Sequence, residues 1–343
     1  MKKTAPVEHG RSTPKRTVII CLLLLLALVC VLLAAAVIGS EPLPVGAVLR
    51  AVLTGGKSAS GLTAEQQTIL FDIRLPRILL AAAVGMSLAT AGAGYQSLLR
   101  NPLAEPYLLG ISNGAAVGTM TALVFFGAHE WSRPLMAFAG ALLATLVVYR
   151  LARGRTGTSP ERLVLAGVIV TTFLSSAIVF ITTLMDATRI RAFTFWLLGD
   201  LSGTTKGLLA VALIAAVIGS VTLALHARSL NLLMLGERDA FDLGVEVGRV
   251  RFTVFVAASL LVGASVASSG SVGYVGLVVP HLVRLSVGSD NRLVIPAAAL
   301  AGAFFVIAAD TVARTIIAPR ELPVGAITAL IGAPLFIYLL KRG

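Results

Sequence analysis

The sequence predicts an all-α polytopic membrane protein with about ten transmembrane helices. Hydrophobic residues make up 57% and charged residues 13% of its 343 positions, against about 45–50% and about 25% in soluble domains. A bilayer core of about 30 Å needs about 20 apolar residues per helix, so the chain has room for about ten spans joined by short loops. The simplest organisation is a single integral membrane domain over residues 1–343.

The apolar runs define ten predicted spans. They cover residues 17–39, 76–99, 108–127, 134–151, 163–185, 206–226, 251–269, 273–287, 293–316 and 324–340. The first run is longer than the roughly 7–15 apolar residues of a signal peptide, which favours an uncleaved helix. The break between the seventh and eighth spans rests on the small polar residues at 268–272.

The net charge of +12 has a topological explanation. Lys and Arg cluster in the first 16 residues, at 150–162 and at 228–251, and all three clusters face the cytoplasm if both termini do, as the positive-inside rule requires. Residues 1–16 are then a cytoplasmic tail and residues 228–250 a cytoplasmic segment. Nucleic-acid binding is not predicted, because topology accounts for the basic residues.

Two segments on the outer side are long enough to have structure of their own. Residues 39–75 contain GGKSASG, which resembles a phosphate-binding loop but has Ala51 where that motif needs its first glycine, so nucleotide binding is not predicted. Residues 186–205 carry Phe193, Phe195 and Trp196, which are typical of an aromatic belt at the membrane interface.

The cytoplasmic segment mixes acidic and apolar residues. Glu237 and Asp239 alternate with Leu235, Phe241 and Leu243, a pattern that favours short amphipathic helices on the membrane surface over a solvated loop. We interpret these helices as a surface offered to a partner protein.

Small residues recur in the central spans. GMSLATAG at 85–92 and GASVASSG at 263–270 share the pattern GxSxAxxG and lie on helices predicted to run in opposite directions. Such an echo is expected of an inverted repeat of five helices, a common transporter architecture, although a chain this rich in Ala, Gly and Ser also produces matches by chance. Gly, Ala and Ser let helices approach closely, and they also leave room for a bulky solute.

Polar residues mark both ends of the second span. Arg74 and Arg77, in RLPR, lie at its outer end, where they either extend to lipid headgroups or receive carboxylates from a docking protein. Arg314 is similar, with Asp310 one turn earlier as a local partner. Asn101, Pro102 and Leu103 form the predicted turn at the inner end, because proline disfavours helix at the residue before it.

Catalytic and metal-binding patterns are missing from the sequence. There is no HExxH, no nucleophile motif with triad partners and no dinucleotide fingerprint, and the histidines lack the spacing of metal ligands. Cys21 and Cys30 lie on one predicted helix, beyond disulfide reach. We therefore expect no enzymatic activity in this chain and no cofactor.

Six segments, in order, resemble the FecCD-type permeases of ABC importers for iron-siderophores, haem and vitamin B12. They are RLPR (74–77), NPLAEPYLLGISNGA (101–115), LGERDAFDLGV (235–245), GYVGLVVPHLVRL (273–285), ADTVAR (309–314) and ELPVGAITALIGAPLFIYLL (321–340). The resemblance covers nearly all of the chain after residue 70. It implies a type II permease of ten helices in the bacterial inner membrane.

The resemblance also implies partners and residue roles. The permease would form a homodimer with two cytoplasmic ABC ATPase subunits, which supply the Walker motif that this chain lacks, and a substrate-binding protein would deliver the cargo. Arg74, Arg77 and Arg314 match residues that dock the binding protein, and Asn101, Pro102 and Leu103 match the inner gate. The residues that match the ATPase-coupling surface are Leu235, Gly236, Glu237, Arg238 and Asp239.

The predicted function is import of an iron chelate or a corrinoid, powered by ATP hydrolysis in the partner subunits. The alternative is a secondary transporter driven by protons or sodium, which needs a buried carboxylate near the middle of the membrane. Asp310 and Asp186 are the candidates, and both lie near the ends of predicted spans. A membrane scaffold without transport activity would leave the cytoplasmic segment without a use.

Overall fold

The computed structural model describes residues 13–39, 41–54, 61–126, 131–154 and 157–342, and these form a bundle of helices. In the first part of the chain the helices are α1 (Pro14–Val37), α2 (Val45–Thr54), α3 (Ala64–Thr68), a π-helix (Ile69–Arg74), α4 (Leu75–Leu98), a 3₁₀ helix (Pro106–Leu109), α5 (Ile111–Phe125) and α6 (Ser132–Ala152). The two-residue strands β1 (Arg153–Gly154) and β2 (Gly157–Thr158) pair antiparallel before α7 (Pro160–Thr182).

The second part of the chain contains eight further helices. They are α8 (Ala187–Leu197), α9 (Lys206–Leu225), α10 (Ala227–Leu235), α11 (Glu237–Asp242), α12 (Val247–Ser269), α13 (Val275–Val287), α14 (Asn291–Thr315) and α15 (Val324–Arg342). Seven helical stretches among the described residues are long and apolar enough to cross a membrane, and α5, α13 and α15 are shorter apolar helices. Each predicted span coincides with one of these ten, so the predicted all-α membrane fold is confirmed.

The helix α4 lies at the centre of the bundle and is buried along nearly its whole length. Close backbone contacts make this packing possible. A Cβ on Gly85 would overlap the carbonyl of Gly302 in α14, and a Cβ on Gly92 would overlap that of Gly276 in α13. The other helix with the GxSxAxxG pattern, α12, is also mostly buried. Both copies of the GxSxAxxG pattern therefore lie on buried helices, and their small residues allow close contact with the neighbouring helices.

The two segments predicted to lie on the outer side, residues 39–75 and 186–205, contain short helices that were not predicted. Between α1 and α4, the helix α3 begins with a capping box between Thr63 and Gln66 and continues through the π-helix into α4 as one stretch from Ala64 to Leu98. In the later segment Asp186 caps α8 by accepting a hydrogen bond from the backbone N–H of Arg189 at 3.0 Å. The Asp186 carboxylate thus satisfies a backbone N–H in the first turn of α8, and this capping role was not predicted from the sequence.

The aromatic residues predicted to form an interface belt differ in exposure. Phe195 is half exposed, as a belt residue would be, but Phe193 is buried and stacks on Trp196 with ring centroids 6.1 Å apart. Phe193 lies inward because it packs with Met120 and Met185, so its place in the predicted belt is wrong. Residues 1–12 of the predicted tail and residues 55–60 of GGKSASG lie outside the described residues.

Candidate functional sites

The three arginines predicted at the outer end are close together, and all three are buried. Arg74, in the π-helix, donates hydrogen bonds of 3.0 Å from Nη1 to the carbonyls of Ala36 and Val37, and Nη2 donates to the carbonyl of Glu41. The side chain thus satisfies carbonyls at the end of α1, which have no partner within the helix. In this conformation Arg74 connects the end of α1 to the π-helix and does not extend to the surface.

Asp310 joins the other two arginines. Arg77 donates to Asp310 Oδ1 from Nε at 3.0 Å and from Nη2 at 2.9 Å. Arg314 Nε lies 3.2 Å from Asp310 Oδ2, which confirms the local pair predicted from their spacing. The Arg77 partnership, 233 residues away in sequence, was not predicted. Two guanidinium groups hold this buried carboxylate, so Asp310 is charge-compensated inside the bundle.

Arg74, Arg77, Asp310, Arg314 and Glu321 form a group that we call the entrance cluster after its predicted role. Glu321 was not predicted from the sequence. Its Oε2 lies 2.6 Å from Arg77 Nη1, and its side chain is 45% exposed whereas that of Arg77 is 8% exposed. Arg74, Arg77, Arg314, Glu41 and Glu321 line a cavity of about 150 Å³. The docking role of the arginines stays a prediction, but their geometry identifies Glu321 as the partner that solvent can reach.

The predicted turn at the inner end of α4 is present and exposed. Arg100 has a φ of 49°, and the side chain of Asn101 accepts a hydrogen bond of 2.9 Å from the backbone N–H of Leu103. Asparagine commonly stabilises a turn in this way, and Pro102 prevents α4 from continuing. The turn is therefore built locally, and its role as a gate stays a prediction.

Glu105 follows this turn and is partly buried. Its carboxylate accepts a hydrogen bond of 3.4 Å from the backbone N–H of Tyr274, which lies between α12 and α13. Burial raises the pKa of Glu105 above its ordinary value, and the hydrogen bond opposes this only in part. The connection of α4 to α5 thus carries an acid whose charged form is disfavoured.

The surface helices that were predicted within residues 228–250 are present as α10 and α11. Gly236 separates them with a φ of 147°, a conformation that residues with a side chain rarely adopt. Leu235, Phe241 and Leu243 are 67%, 70% and 62% exposed, and Arg238 and Asp239 are exposed beside them. Three large apolar side chains exposed on short helices between α9 and α12 form a surface suited to a protein partner.

Glu237 connects this segment to the turn at the end of α4. Its Oε1 lies 3.0 Å from Arg100 Nη2 and 2.5 Å from Arg251 Nη2. Arg251, in α12, is buried and also donates to the carbonyl of Thr158 in β2. One carboxylate therefore links α11, the turn that follows α4, and α12. The sequence reading singled out Glu237 but not these two partners.

A second polar cluster connects α10 to the core. The buried Asn291, at the start of α14, accepts hydrogen bonds on Oδ1 from Ser97 of α4 at 2.8 Å and from Arg284 of α13 at 3.0 Å. Its backbone N–H donates to Asn231 of α10 at 2.8 Å, and Asn231 donates to Asp290 at 2.7 Å. Hydrogen bonds thus connect α10 to α4, α13 and α14.

Comparison with known proteins shows similarity over most of the chain. A sequence model described as the FecCD transport family matches residues 23–342. The cobalamin import system permease BtuC of Halobacterium salinarum is 41% identical, covering 92% of this chain and 93% of that protein. The hemin transport system permease HmuU of Yersinia pestis is 41% identical, covering 80% of this chain and 83% of that protein.

A solved structure has a similar fold. It is described as an inward-facing conformation of a metal-chelate type ABC transporter, and it aligns with a TM-score of 0.81 and 31% sequence identity. The alignment covers 95% of this chain and all of the other. The arrangement of helices is therefore shared with a transporter over the whole bundle.

Proposed function

Because the chain belongs to the FecCD transport family, we propose that it is the permease subunit of an ATP-driven importer for an iron chelate, such as a ferric siderophore or haem, or for a corrinoid. The observation that carries this proposal is the 41% identity to permeases named for cobalamin and hemin, over 80% or more of the chain. The subunit is a transport component, and ATP hydrolysis takes place in separate partner subunits.

The proposed coupling surface for the ATPase is the segment from Leu235 to Asp239, with Phe241 and Leu243 beside it. Support comes from the exposed apolar side chains on α10 and α11, which would be covered by a partner. The ion pair between Glu237 and Arg100 then carries a displacement of α11 to Asn101, Pro102 and Leu103 at the inner gate. Transport by this route needs the ATPase, and a homodimer of the permease encloses the path.

The proposed entrance is the arginine cluster, which receives carboxylates of a substrate-binding protein. Arg77 is held by Asp310 and Glu321, so a docking carboxylate replaces the exposed Glu321 rather than the buried Asp310. Arg74 and Arg314 contribute positive potential to the same cavity. Electrostatic complementarity of this kind favours encounter and specificity.

The chain is a multi-pass membrane protein. We further place it in the bacterial inner membrane as a single integral domain, with both termini in the cytoplasm. Residues 1–16 form the cytoplasmic tail and residues 228–250 the coupling segment. The distribution of Lys and Arg supports this orientation.

An ion-coupled secondary transporter is less well supported. Asp310 is bound between two arginines, and Asp186 is the N-cap of α8 outside the spans. Neither candidate carboxylate offers the uncompensated charge that a proton or sodium site in the membrane requires.

Reconstituted vesicles can test the proposal. The permease would be placed in liposomes alone, or with an ATPase and a substrate-binding protein that co-purify with it, and uptake of cyanocobalamin, of haem and of a ferric siderophore would be measured. We expect uptake of one of these only in the full assembly with ATP. Uptake by the permease alone under a proton or sodium gradient would support the secondary transporter instead.

A further inference from the structure

A long apolar groove lies between α6, α9 and α12, away from the entrance cluster and the coupling segment. Its volume is about 630 Å³, within the range of roughly 300–1,000 Å³ typical of ligand sites. On α9 the lining positions include 208, 211, 215, 218 and 222, which share one helix face. At a rise of 1.5 Å per residue, the stretch from 208 to 222 is about 21 Å long. The groove is therefore elongated along the membrane normal.

Small residues make this groove deep. Ala212, Ala215 and Gly219 line it on α9, and Gly219 lies against Leu261 of α12 so closely that a Cβ there would come within 2.5 Å of that side chain. Beside the groove, Ile214 and Val217 are more than half exposed along the same span. A face of this composition within a membrane span contacts acyl chains rather than water.

A polar pocket of about 240 Å³ continues the groove at one end. Both cavities are lined by Trp131, Pro134, Leu208, Ala267 and Ser268, so they share a boundary. The pocket lies on the Arg77 side of the molecule, because Asp200 of the pocket and Arg77 also line a common cavity. Trp131 and Trp196 at this end suit the level of lipid headgroups.

The polar pocket contains charges of both signs. Arg133 lines it from the first turn of α6, and Asp200 lines it from the loop after α8. Asp200 Oδ1 accepts a hydrogen bond of 2.7 Å from the backbone N–H of Ser202, which orients the carboxylate. A guanidinium group pairs well with phosphate, and a carboxylate pairs with an ammonium group.

We propose that the groove and the pocket together bind one phospholipid whose zwitterionic headgroup carries a primary amine, as in phosphatidylethanolamine. An acyl chain occupies the groove, the phosphate contacts Arg133 and the ammonium group contacts Asp200. The continuity of an apolar slot with a pocket of mixed charge favours this occupant over an anionic lipid, which would face Asp200 unfavourably. None of the residues that line the groove or the pocket belongs to the arginine cluster or to the proposed coupling surface.

Native mass spectrometry of the full-length protein tests the proposal, with dioleoyl phosphatidylethanolamine, phosphatidylglycerol and phosphatidylcholine as the probes. We expect one tightly retained phosphatidylethanolamine, bound about tenfold more tightly than the other two. Ala215→Phe, which fills the groove, should lower that affinity about tenfold. Ile214→Phe is the matched control, because Ile214 is exposed on the same helix but does not line the groove.

Arg133→Gln and Asp200→Asn test the headgroup contacts without altering the packed helices. Each should reduce the preference for phosphatidylethanolamine while a lipid is still retained. Equal affinity for all three lipids, or unchanged binding in Ala215→Phe, would overturn the proposal. Loss of dimer rather than of lipid in Ala215→Phe would also overturn it, since the groove would then be an interface between two copies.

Discussion

The Glu237 carboxylate lies 3.0 Å from the Arg100 guanidinium, although 137 residues separate them in sequence. Arg100 directly precedes the turn of Asn101, Pro102 and Leu103 that follows α4, and Glu237 begins α11 in the segment predicted to be cytoplasmic. The same carboxylate also binds the buried Arg251 of α12. The surface proposed to meet the ATPase and the turn proposed to close the path are therefore directly connected by an ion pair.

Glu321→Gln should strengthen docking of the substrate-binding protein. The change removes the internal carboxylate that now binds Arg77, so the guanidinium becomes available to a carboxylate of the partner. We expect affinity to rise roughly two- to fivefold at low salt and less at high salt, measured by surface plasmon resonance on the reconstituted permease. Glu65→Gln, an exposed change in α3, is the control.

A further variant, Arg77→Gln, separates two ways in which this prediction can fail. Unchanged docking in Arg77→Gln would show that the arginine does not bind the partner. Weakened docking in Arg77→Gln with no gain in Glu321→Gln would show that Glu321 does not compete. Charge reversal at Arg74 is less informative, because a glutamate there would face the carbonyls of Ala36 and Val37.

Asp310→Ala should destabilise the protein strongly. It leaves the buried Arg77 and Arg314 without their shared carboxylate, and breaking a buried ion pair from one side costs about 3–5 kcal/mol. The free energy of unfolding in detergent measures the effect. Glu246→Ala is the control, since that carboxylate is 73% exposed and its 3.6 Å pair with Arg249 is worth at most about 1 kcal/mol. A similar loss of unfolding free energy in both variants would contradict the claim that Asp310 compensates the two buried arginines.

Gly85→Ala and Gly92→Ala should each destabilise the bundle. A methyl group at either position overlaps a backbone carbonyl of the neighbouring helix, which cannot move aside as a flexible side chain could. Overpacking of this kind costs about 1–3 kcal/mol. Gly248→Ala, in α12, is the matched control because a Cβ there meets no atom within 4 Å, and it should be neutral or slightly stabilising. The melting temperatures of the three variants should differ accordingly.

Glu105→Gln should stabilise the protein at neutral pH. The raised pKa of Glu105 means that the folded state binds a proton more readily than the unfolded state does. Stability from this group is thus fully present below its ordinary pKa and is lost as the pH rises through the raised value. Glutamine can still accept from Tyr274 N–H but does not ionise. The variant should melt above the wild type at about pH 7 and together with it at about pH 4, and a constant difference would argue against this origin.

The pattern of apolar runs was sufficient to predict the ten spans, because a helix that crosses the hydrocarbon core of a membrane needs about 20 apolar residues in a row. The end of α12 at Ser269 also falls within the predicted break at 268–272. Short polar motifs at the span ends made Arg77 and Asn101 candidates, and the mixed acidic and apolar pattern at 228–250 did the same for Glu237. All of these signals are local, since each lies within a few neighbouring residues, and the roles of the three residues stay predictions.

Contacts between distant segments could not be predicted in this way. Arg77 pairs with Asp310 and Glu321, and Glu237 with Arg100 and Arg251, at separations that no local pattern encodes. The burial of Phe193 was missed for the same reason, since it depends on packing against Met120 and Met185. The helices α2, α3 and α8 have 10, 5 and 11 residues, so none of them produces an apolar run long enough to be recognised as a span.

The central claim, that the Arg100–Glu237 pair carries the ATPase signal to the gate, is tested by a double-mutant cycle. Cyanocobalamin or haem imported per ATP hydrolysed would be measured for the wild type, Arg100→Ala, Glu237→Ala and the double variant in the reconstituted importer. Arg249→Ala, a neighbouring exposed arginine that pairs with Glu246, is the control. We expect Arg100→Ala to lower this ratio roughly two- to fivefold in the wild type and to have no further effect when Glu237 is absent. An equal fractional loss from Arg100→Ala in both backgrounds would contradict the claim.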